Sequence, residues 1–381
     1  MNNIFTTDHI TMLVACFLLS YIISNILIRR VIELVTRFNL MDKPNHRKTH
    51  VVPTPSMGGI AIVLTIFAFY TFIAIIIDNT DAFIIMVSLI SFSALGFIDD
   101  WKNLNAKLKL AIQMGLSTMA YLLGFKLDNA FGLFGIYELE PMISFIITIG
   151  FYILLINAYN LIDGIDELAG GIIAINFGVF TILFVVLGAY GYVLFSVVAF
   201  GAVKGFLKFN AHPAKIFMGD SGSLPLGMIM ALFSFKVIQL IQTPEVSIYT
   251  SHSILPTIVA LNFIPFFDTL RVFTLRISKG FSPFQGDRNH LHHLLLKNNL
   301  GHKKSAFFIQ ASHAVIILSI FLIAPYLSLW TNLLLVVILT SLTFEWNTFF
   351  RIRIKSKLRT NLNKKENDAL KTNKLLKTLN D

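Results

Sequence analysis

Three short segments of this chain concentrate oxygen-bearing side chains that could do chemistry. Asp99 and Asp100 are adjacent carboxylates, followed by Asn103, Lys107 and Lys109. Neighbouring carboxylates repel, which raises the pKa of one and suits it to act as a general base. They also suit Mg2+, a hard cation that takes oxygen ligands. Asn157, Asn160, Asp163 and Asp166 recur at steps of three. On a helix the first three share an arc of about 120°, and Gly164 is placed to end that helix so that Asp166 folds back. Such a stripe suits a metal or a sugar nucleotide. The run from Phe217 to Ser223 holds Gly219-Asp220-Ser221-Gly222, a turn that presents one carboxylate. An N-cap role for Asp220 or Ser221 is its structural alternative.

Two further segments combine acids with cations. From Asp42 the chain reads through Arg47, Lys48 and His50 to Pro53, Pro55 and Gly58-Gly59. Prolines and paired glycines favour a fixed turn before a helix. A helix N-terminus near Arg and Lys suits an anion such as phosphate, and a plain basic flank is the alternative. The last segment holds Asp268 and Arg271, an i,i+3 pair, then Arg288, His290, His292 and His293. Three histidines permit zinc, but no Cys is near and an acid ligand would have to come from another loop. Arg with His suits a diphosphate, and the anion reading is favoured. His9, His252 and His313 are isolated and read as structural.

The elements that must position these groups follow from composition. The 381 residues are 55% hydrophobic and 14% charged, with 36 Phe and a net charge of +10. That balance excludes disorder and argues against an ordinary soluble enzyme, where charged residues make up roughly 25%. The single Cys16 excludes a disulfide framework and a cysteine metal site. Apolar runs fall near 10–28, 57–77, 82–98, 108–124, 142–158, 168–187, 190–207, 223–241, 253–276, 306–326 and 329–350. The expectation is an all-α integral membrane protein with about eleven transmembrane helices. The first run lacks the basic lead and cleavage site of a signal peptide and reads as a retained helix.

Threading the runs from an outer N-terminus puts all five segments on the inner face, with the C-terminus cytoplasmic. Of 31 Lys and Arg, only Lys126 then lies in an outer segment and Lys236 within a span; the rest lie in inner loops or at inner helix ends. This is a positive-inside pattern, so the basic excess marks orientation, not nucleic acid. Residues 1–350 are expected to form the membrane domain, and 351–381 a basic cytoplasmic tail, either a basic helix on anionic lipid or a solvated tail. The outer segment 125–141, with Gly132 and Gly135 among alternating apolar residues, suggests a small hairpin.

The matched stretches are DKPNHRKTHVVPTPSMGG, GFIDDWKNL, NAYNLIDGIDELAGG, FMGDSGSLPLG, and PFFDTLRV with SPFQGDRNHLHHLLL. In this order they resemble the polyprenyl-phosphate N-acetylhexosamine-1-phosphate transferase family (glycosyltransferase family 4) over about residues 10–350. The His loop looks like the N-acetylglucosamine branch; Glu167 departs from the glycine usual after Gly-Ile-Asp.

The resemblance implies transfer of N-acetylglucosamine 1-phosphate from a UDP-sugar to undecaprenyl phosphate. The products would be a polyprenyl-diphosphate sugar and UMP, in the initiating step of a cell-envelope polysaccharide. It implies Mg2+, with Mn2+ as a substitute, a multi-pass place in the bacterial inner membrane, contact with lipid, and the capacity to form a homodimer. Residue by residue, it makes Asp99 and Asp100 catalytic, one of them deprotonating the lipid phosphate, and ties Asp163 and Asp166 to nucleotide and activity. Asp220 would bind Mg2+ with Asn160 contributing, and Lys109 would meet phosphate. Asp42, Arg47 and His50 match the first motif, and Arg288, His290, His292 and His293 the donor loop. Asn103 and Asn157 complete the candidate substrate contacts. The competing readings are a polytopic transporter, whose charges should sit near mid-membrane, and the same chemistry on UDP-N-acetylgalactosamine.

Overall fold

The computed structural model describes residues 7–42, 53–69, 74, 79–242, 248–282, 289–298 and 300–345. Its helices are α1 (Thr7–Arg37), α2 (Gly59–Ala68), α3 (Asn79–Lys102), α4 (Ala106–Leu122), α5 (Pro141–Ile162), α6 (Leu168–Val186), α7 (Tyr190–Asn210), α8 (Asp220–Ile241), α9 (Ile248–Ser278), α10 (Leu291–Lys297), α11 (His302–Ile323) and α12 (Leu329–Glu345). A helix underlies every one of the eleven apolar runs. Eight of these helices are long and apolar enough to cross a membrane; α2 and α12 are shorter apolar helices, and α4 carries two lysines in its first turn. The protein is a multi-pass membrane protein. Of the tail, residues 346–381 lie outside the described part.

Helix limits follow local chemistry. Asp8 opens α1 and Arg37 closes it, each charge opposing the helix dipole. Pro141 starts α5 at its first turn, where its missing N–H costs nothing. Between α4 and α5 the expected hairpin is present: Asn129–Leu133 and Ile136–Glu138 pair antiparallel. Met41–Asp42 pairs with Thr54–Pro55 in a second two-residue ladder.

The bundle is built around α8. Of its apolar window 83% is buried, against 22% for α1. On α1, Ile10, Val14, Leu18, Ile22 and Ile26 form an exposed i,i+4 row, a face suited to lipid. Around Phe233 of α8 pack the rings of Phe177, Phe180, Phe184, Tyr192 and Phe195.

Prolines inside spans leave carbonyls without their i→i−4 donor, and hydrocarbon offers no substitute. Side chains from neighbouring helices supply it. Pro225 in α8 orphans the Ser221 carbonyl, which accepts from Ser93 Oγ of α3 at 3.1 Å. Pro265 in α9 orphans the Leu261 carbonyl, which accepts from Asn176 Nδ2 of α6 at 3.0 Å.

Asn176 belongs to a wider buried node. It also donates to Tyr159 Oη at 2.6 Å, while His313 Nε2 sits 2.7 Å from its amide oxygen. Tyr159 Oη in turn donates to Asn262 Oδ1, and Asn262 Nδ2 to Ser234 Oγ. The node ties five helices together and makes His313 structural. The intramembrane Lys236 is likewise paired, 2.5 Å from Asp81 Oδ2, which also accepts from Tyr192 Oη at 2.6 Å.

Candidate active site

Because the helices alternate in direction, the ends of α3, α5, α7 and α9 meet the starts of α4, α6, α8 and α11 at one end of the bundle. The N-terminus of α8 lies at its centre. Its first two N–H groups have no side-chain cap of their own; Gly219 is the N-cap residue. They donate instead to Asp100 of α3: Asp220 N to Oδ1 at 2.9 Å and Ser221 N to Oδ2 at 3.1 Å. A carboxylate there satisfies two orphan donors and the positive end of the helix dipole. Neither Asp220 nor Ser221 therefore acts as the cap by its side chain.

This contact needs close helices. A Cβ on Gly96 would lie 2.1 Å from the Asp220 carbonyl oxygen, so only glycine lets α3 approach. On the other side, a Cβ on Gly59 would meet Gly222 Cα at 2.0 Å. There Gly58 N and Gly59 N donate to the carbonyls of Phe217 and Met218. The first motif thus braces the Gly-Asp-Ser-Gly turn through its glycines.

Lys109 of α4 bridges two carboxylates. Its Nζ lies 2.8 Å from Asp99 Oδ2 and also holds Asp220 Oδ2. The other Asp99 oxygen accepts from Leu104 N at 2.7 Å. Asn160 Nδ2 donates to Asp220 Oδ1 at 2.7 Å and to Ser223 Oγ at 2.9 Å. Asp163 caps the end of α5, half-buried, and accepts from the Gly219 N–H. Burial, then the Asp220 and Asp100 carboxylates, push its pKa up to about 8. Four carboxylates (Asp99, Asp100, Asp163, Asp220) thus converge with one ammonium among them. An all-oxygen, over-negative cluster of this kind fits a hard divalent cation.

Beyond Gly164 the chain turns, and Asp166 folds back. Its Oδ2 lies 2.6 Å from His212 Nδ1 and accepts from Ala214 N at 3.2 Å. His302 Nδ1 is 3.9 Å from Oδ1. Glu167, standing where glycine is usual, has φ +67°, left-handed backbone that disfavours a side chain. It is held there on three sides. Its N–H donates to Asn210 Oδ1, its carbonyl accepts from Gln310 Nε2, and its Oε1 accepts from His212 N.

Asp268 organises the His loop. It accepts from Leu291 N at 3.1 Å, faces His290 Nδ1 at 3.1 Å and pairs with Arg271 at 2.8 Å. Arg271 also donates to the Asn289 carbonyl. The pair is therefore more than an ion pair: it fixes the start of α10. His292 is buried against Gly164, where a Cβ would lie 2.2 Å from Nε2. Burial, then His293, push the His292 pKa down to about 3. It is neutral at physiological pH and brings hydrogen-bonding nitrogens, not charge, to this wall.

The expected residues thus divide. Asp99, Asp100, Lys109, Asn160, Asp163 and Asp220 form one cluster, with Asp166 and His292 beside it across the turn at Gly164; His290 is the N-cap residue of α10 and His293 lies in its first turn. Asn157 faces elsewhere, donating to Gln113 of α4 at 2.9 Å and to the Ile153 carbonyl. Asn103 is exposed in a left-handed turn (φ +50°) after α3. Asp42 is described by its backbone alone, and Arg47, His50 and Arg288 lie outside the described residues. Sequence reasoning missed Asn210, His212 and His302. No spacing links Asn210 to the Glu167 backbone, or His212 and His302 to Asp166; only the return of α7 and α11 to the same face does.

A family model described as glycosyl transferase family 4 matches residues 82–238, the stretch that carries Asp99 through Asp220. A probable undecaprenyl-phosphate N-acetylglucosaminyl 1-phosphate transferase of Bacillus subtilis (strain 168) is 31% identical over 335 residues, 86% of this chain and 89% of that protein. A decaprenyl-phosphate N-acetylglucosaminephosphotransferase of Mycobacterium leprae is 32% identical over 72% of this chain and 75% of its own length. The undecaprenyl-phosphate alpha-N-acetylglucosaminyl 1-phosphate transferase of Escherichia coli (strain K12) is 27% identical over 77% of this chain and 79% of its own.

Proposed function

The chain belongs to glycosyl transferase family 4 and transfers N-acetylglucosamine 1-phosphate to a polyprenyl phosphate; from that premise we propose UDP-N-acetylglucosamine as donor and undecaprenyl phosphate as acceptor. The products are undecaprenyl-diphosphate-N-acetylglucosamine and UMP, and the reaction opens assembly of a cell-envelope polysaccharide. The site faces the cytoplasm across the bacterial inner membrane.

The observation that carries this reading is the carboxylate cluster locked onto the N-terminus of α8 at one end of a membrane bundle. A lipid acceptor arrives from the bilayer and a soluble nucleotide from the aqueous side, so the reaction must occur at such a mouth. An oxygen of the lipid phosphate attacks the β-phosphorus of the donor. The bond from that phosphorus to the bridging oxygen breaks, and UMP leaves. Phosphoryl transfer depends chiefly on positioning and charge neutralisation. Lys109 supplies a fixed cation beside Asp99 and Asp220. Asp163, whose pKa is pushed up to about 8 by burial and by the Asp220 and Asp100 carboxylates, holds a proton that it must give up when a cation binds. Asp100 positions: both its oxygens are spent on α8. Asp220, Asn160 and Asp163 are the residues that would hold Mg2+, which when bound offsets the charge of the diphosphate.

The test is UMP release by membranes containing the protein, supplied with UDP-N-acetylglucosamine, undecaprenyl phosphate and Mg2+. Release that requires all three supports the proposal. No release, or release only with UDP-N-acetylgalactosamine, overturns the donor assignment. A labelled phospho-enzyme trapped without acceptor would replace direct attack with a two-step route.

A further inference from the structure

We propose that Asp166, His212 and His302 form a second cation site, for a borderline divalent transition ion with Zn2+ the best fit, separate from the oxygen cluster around Asp220. The three side chains come from the turn between α5 and α6, the 211–219 loop before α8, and the first residue of α11. Their ligand atoms all lie within 4.8 Å of one another. Asp166 Oδ2 is 2.6 Å from His212 Nδ1, and Asp166 Oδ1 is 3.9 Å from His302 Nδ1. The two imidazoles stack at 5.2 Å with 29° between their planes.

The donor set decides the ion. Two nitrogens and one carboxylate suit zinc and its neighbours, whereas the Asp99–Asp220 cluster offers oxygen and suits Mg2+. Ligands about 2.0–2.1 Å from a tetrahedral Zn2+ stand about 3.3 Å apart. The Asp166–His212 contact must open by about 0.7 Å, and the wider separations, none above 4.8 Å, must close by about 1.5 Å or less. In the metal-free state the His212–Asp166 contact is a hydrogen bond. On ion binding His212 Nδ1 gives up that bond and ligates, its proton residing on Nε2. The His212 side chain is 42% exposed, which gives the ion a path in and leaves a fourth position for water. An ion held there would add to the hydrogen bonds that already tie the 211–219 loop and α11 to the turn at Asp166 and Glu167.

The experiment uses the full chain without an affinity tag, in detergent, stripped with chelator and kept in excess Mg2+ to fill the oxygen cluster. Co2+ is titrated while its visible absorption is recorded. One equivalent should give the intense band of low-coordinate Co2+, displaced one for one by Zn2+. His212→Ala and His302→Ala should each weaken binding about tenfold or more, and His9→Ala should not. Melting without metal verifies that each variant keeps the fold, and the test rests on His212→Ala, whose side chain is 42% exposed, if His302→Ala melts early. The proposal is overturned if the wild type shows no saturable single-equivalent uptake. It is also overturned if a folded His212→Ala variant binds as the wild type does, or if only His290→Ala abolishes binding.

Discussion

At the scale of single residues, the site is a contest between like charges that one lysine and one helix end settle. Removing Lys109 leaves Asp99 and Asp220 facing each other with no ammonium between them. Lys109→Met should therefore lower UMP release by about a hundredfold or more, the scale of losing one preorganised electrostatic contact. Asp220→Asn should do the same while the protein still inserts; full turnover in either variant refutes the site.

Asp163 sets a pH dependence. Its folded pKa, about 8, lies above the unfolded value of about 3.9. The metal-free protein therefore has the full stability contribution of this group below about pH 4 and loses it as pH rises through 8. A cation must displace that proton, so the stabilisation by Mg2+ in thermal melts should grow between pH 6.5 and 8.5. Asp163→Asn should flatten that growth, and an unchanged slope would assign the proton elsewhere. The acids of this cluster could be read from their motifs. That Asp100 is a helix cap, and that His212 meets Asp166, could not, since both depend on partners 120 and 46 residues away.

At the scale of elements, the catalytic end is only as good as the approach of α3 to α8. Gly96→Ala places a methyl carbon 2.1 Å from a backbone oxygen, which no rotamer relieves. It should lower the melting temperature and lower turnover with it; a variant as stable and active as the parent would refute the close contact. Ser93→Ala probes the same interface more gently. It leaves the Ser221 carbonyl, already without an amide donor, unpaired in a dry interior, at about 1–3 kcal/mol. A melting temperature unchanged within error would show that Ser93 is dispensable. Each apolar run of the sequence announces its helix, because span length and hydropathy are local properties. The side-chain rescue of Pro225 and Pro265 is invisible there, since Ser93 and Asn176 look like ordinary polar residues inside a span.

At the scale of the molecule, charge and packing tell one consistent story of orientation. The acids and their cations gather at one end of the bundle, where the sequence concentrates its Lys and Arg. The opposite end carries the hairpin at 129–138 and the Asp81–Lys236–Tyr192 contact. A transporter would place its ionisable groups at mid-depth. Here the buried node of Tyr159, Asn176, Asn262 and His313 holds no Asp, Glu, Lys or Arg, and its side chains bond to one another, which makes it packing and not a pathway. The basic end should be cytoplasmic. The lone Cys16 is buried, so introduced cysteines report on a silent background. In intact cells, a membrane-impermeant thiol reagent should label Glu138→Cys, in the hairpin, and spare Lys279→Cys, just after α9. Inside-out vesicles should reverse the pattern. The opposite labelling would turn the bundle over and put the donor site on a face where no cytoplasmic nucleotide could reach it.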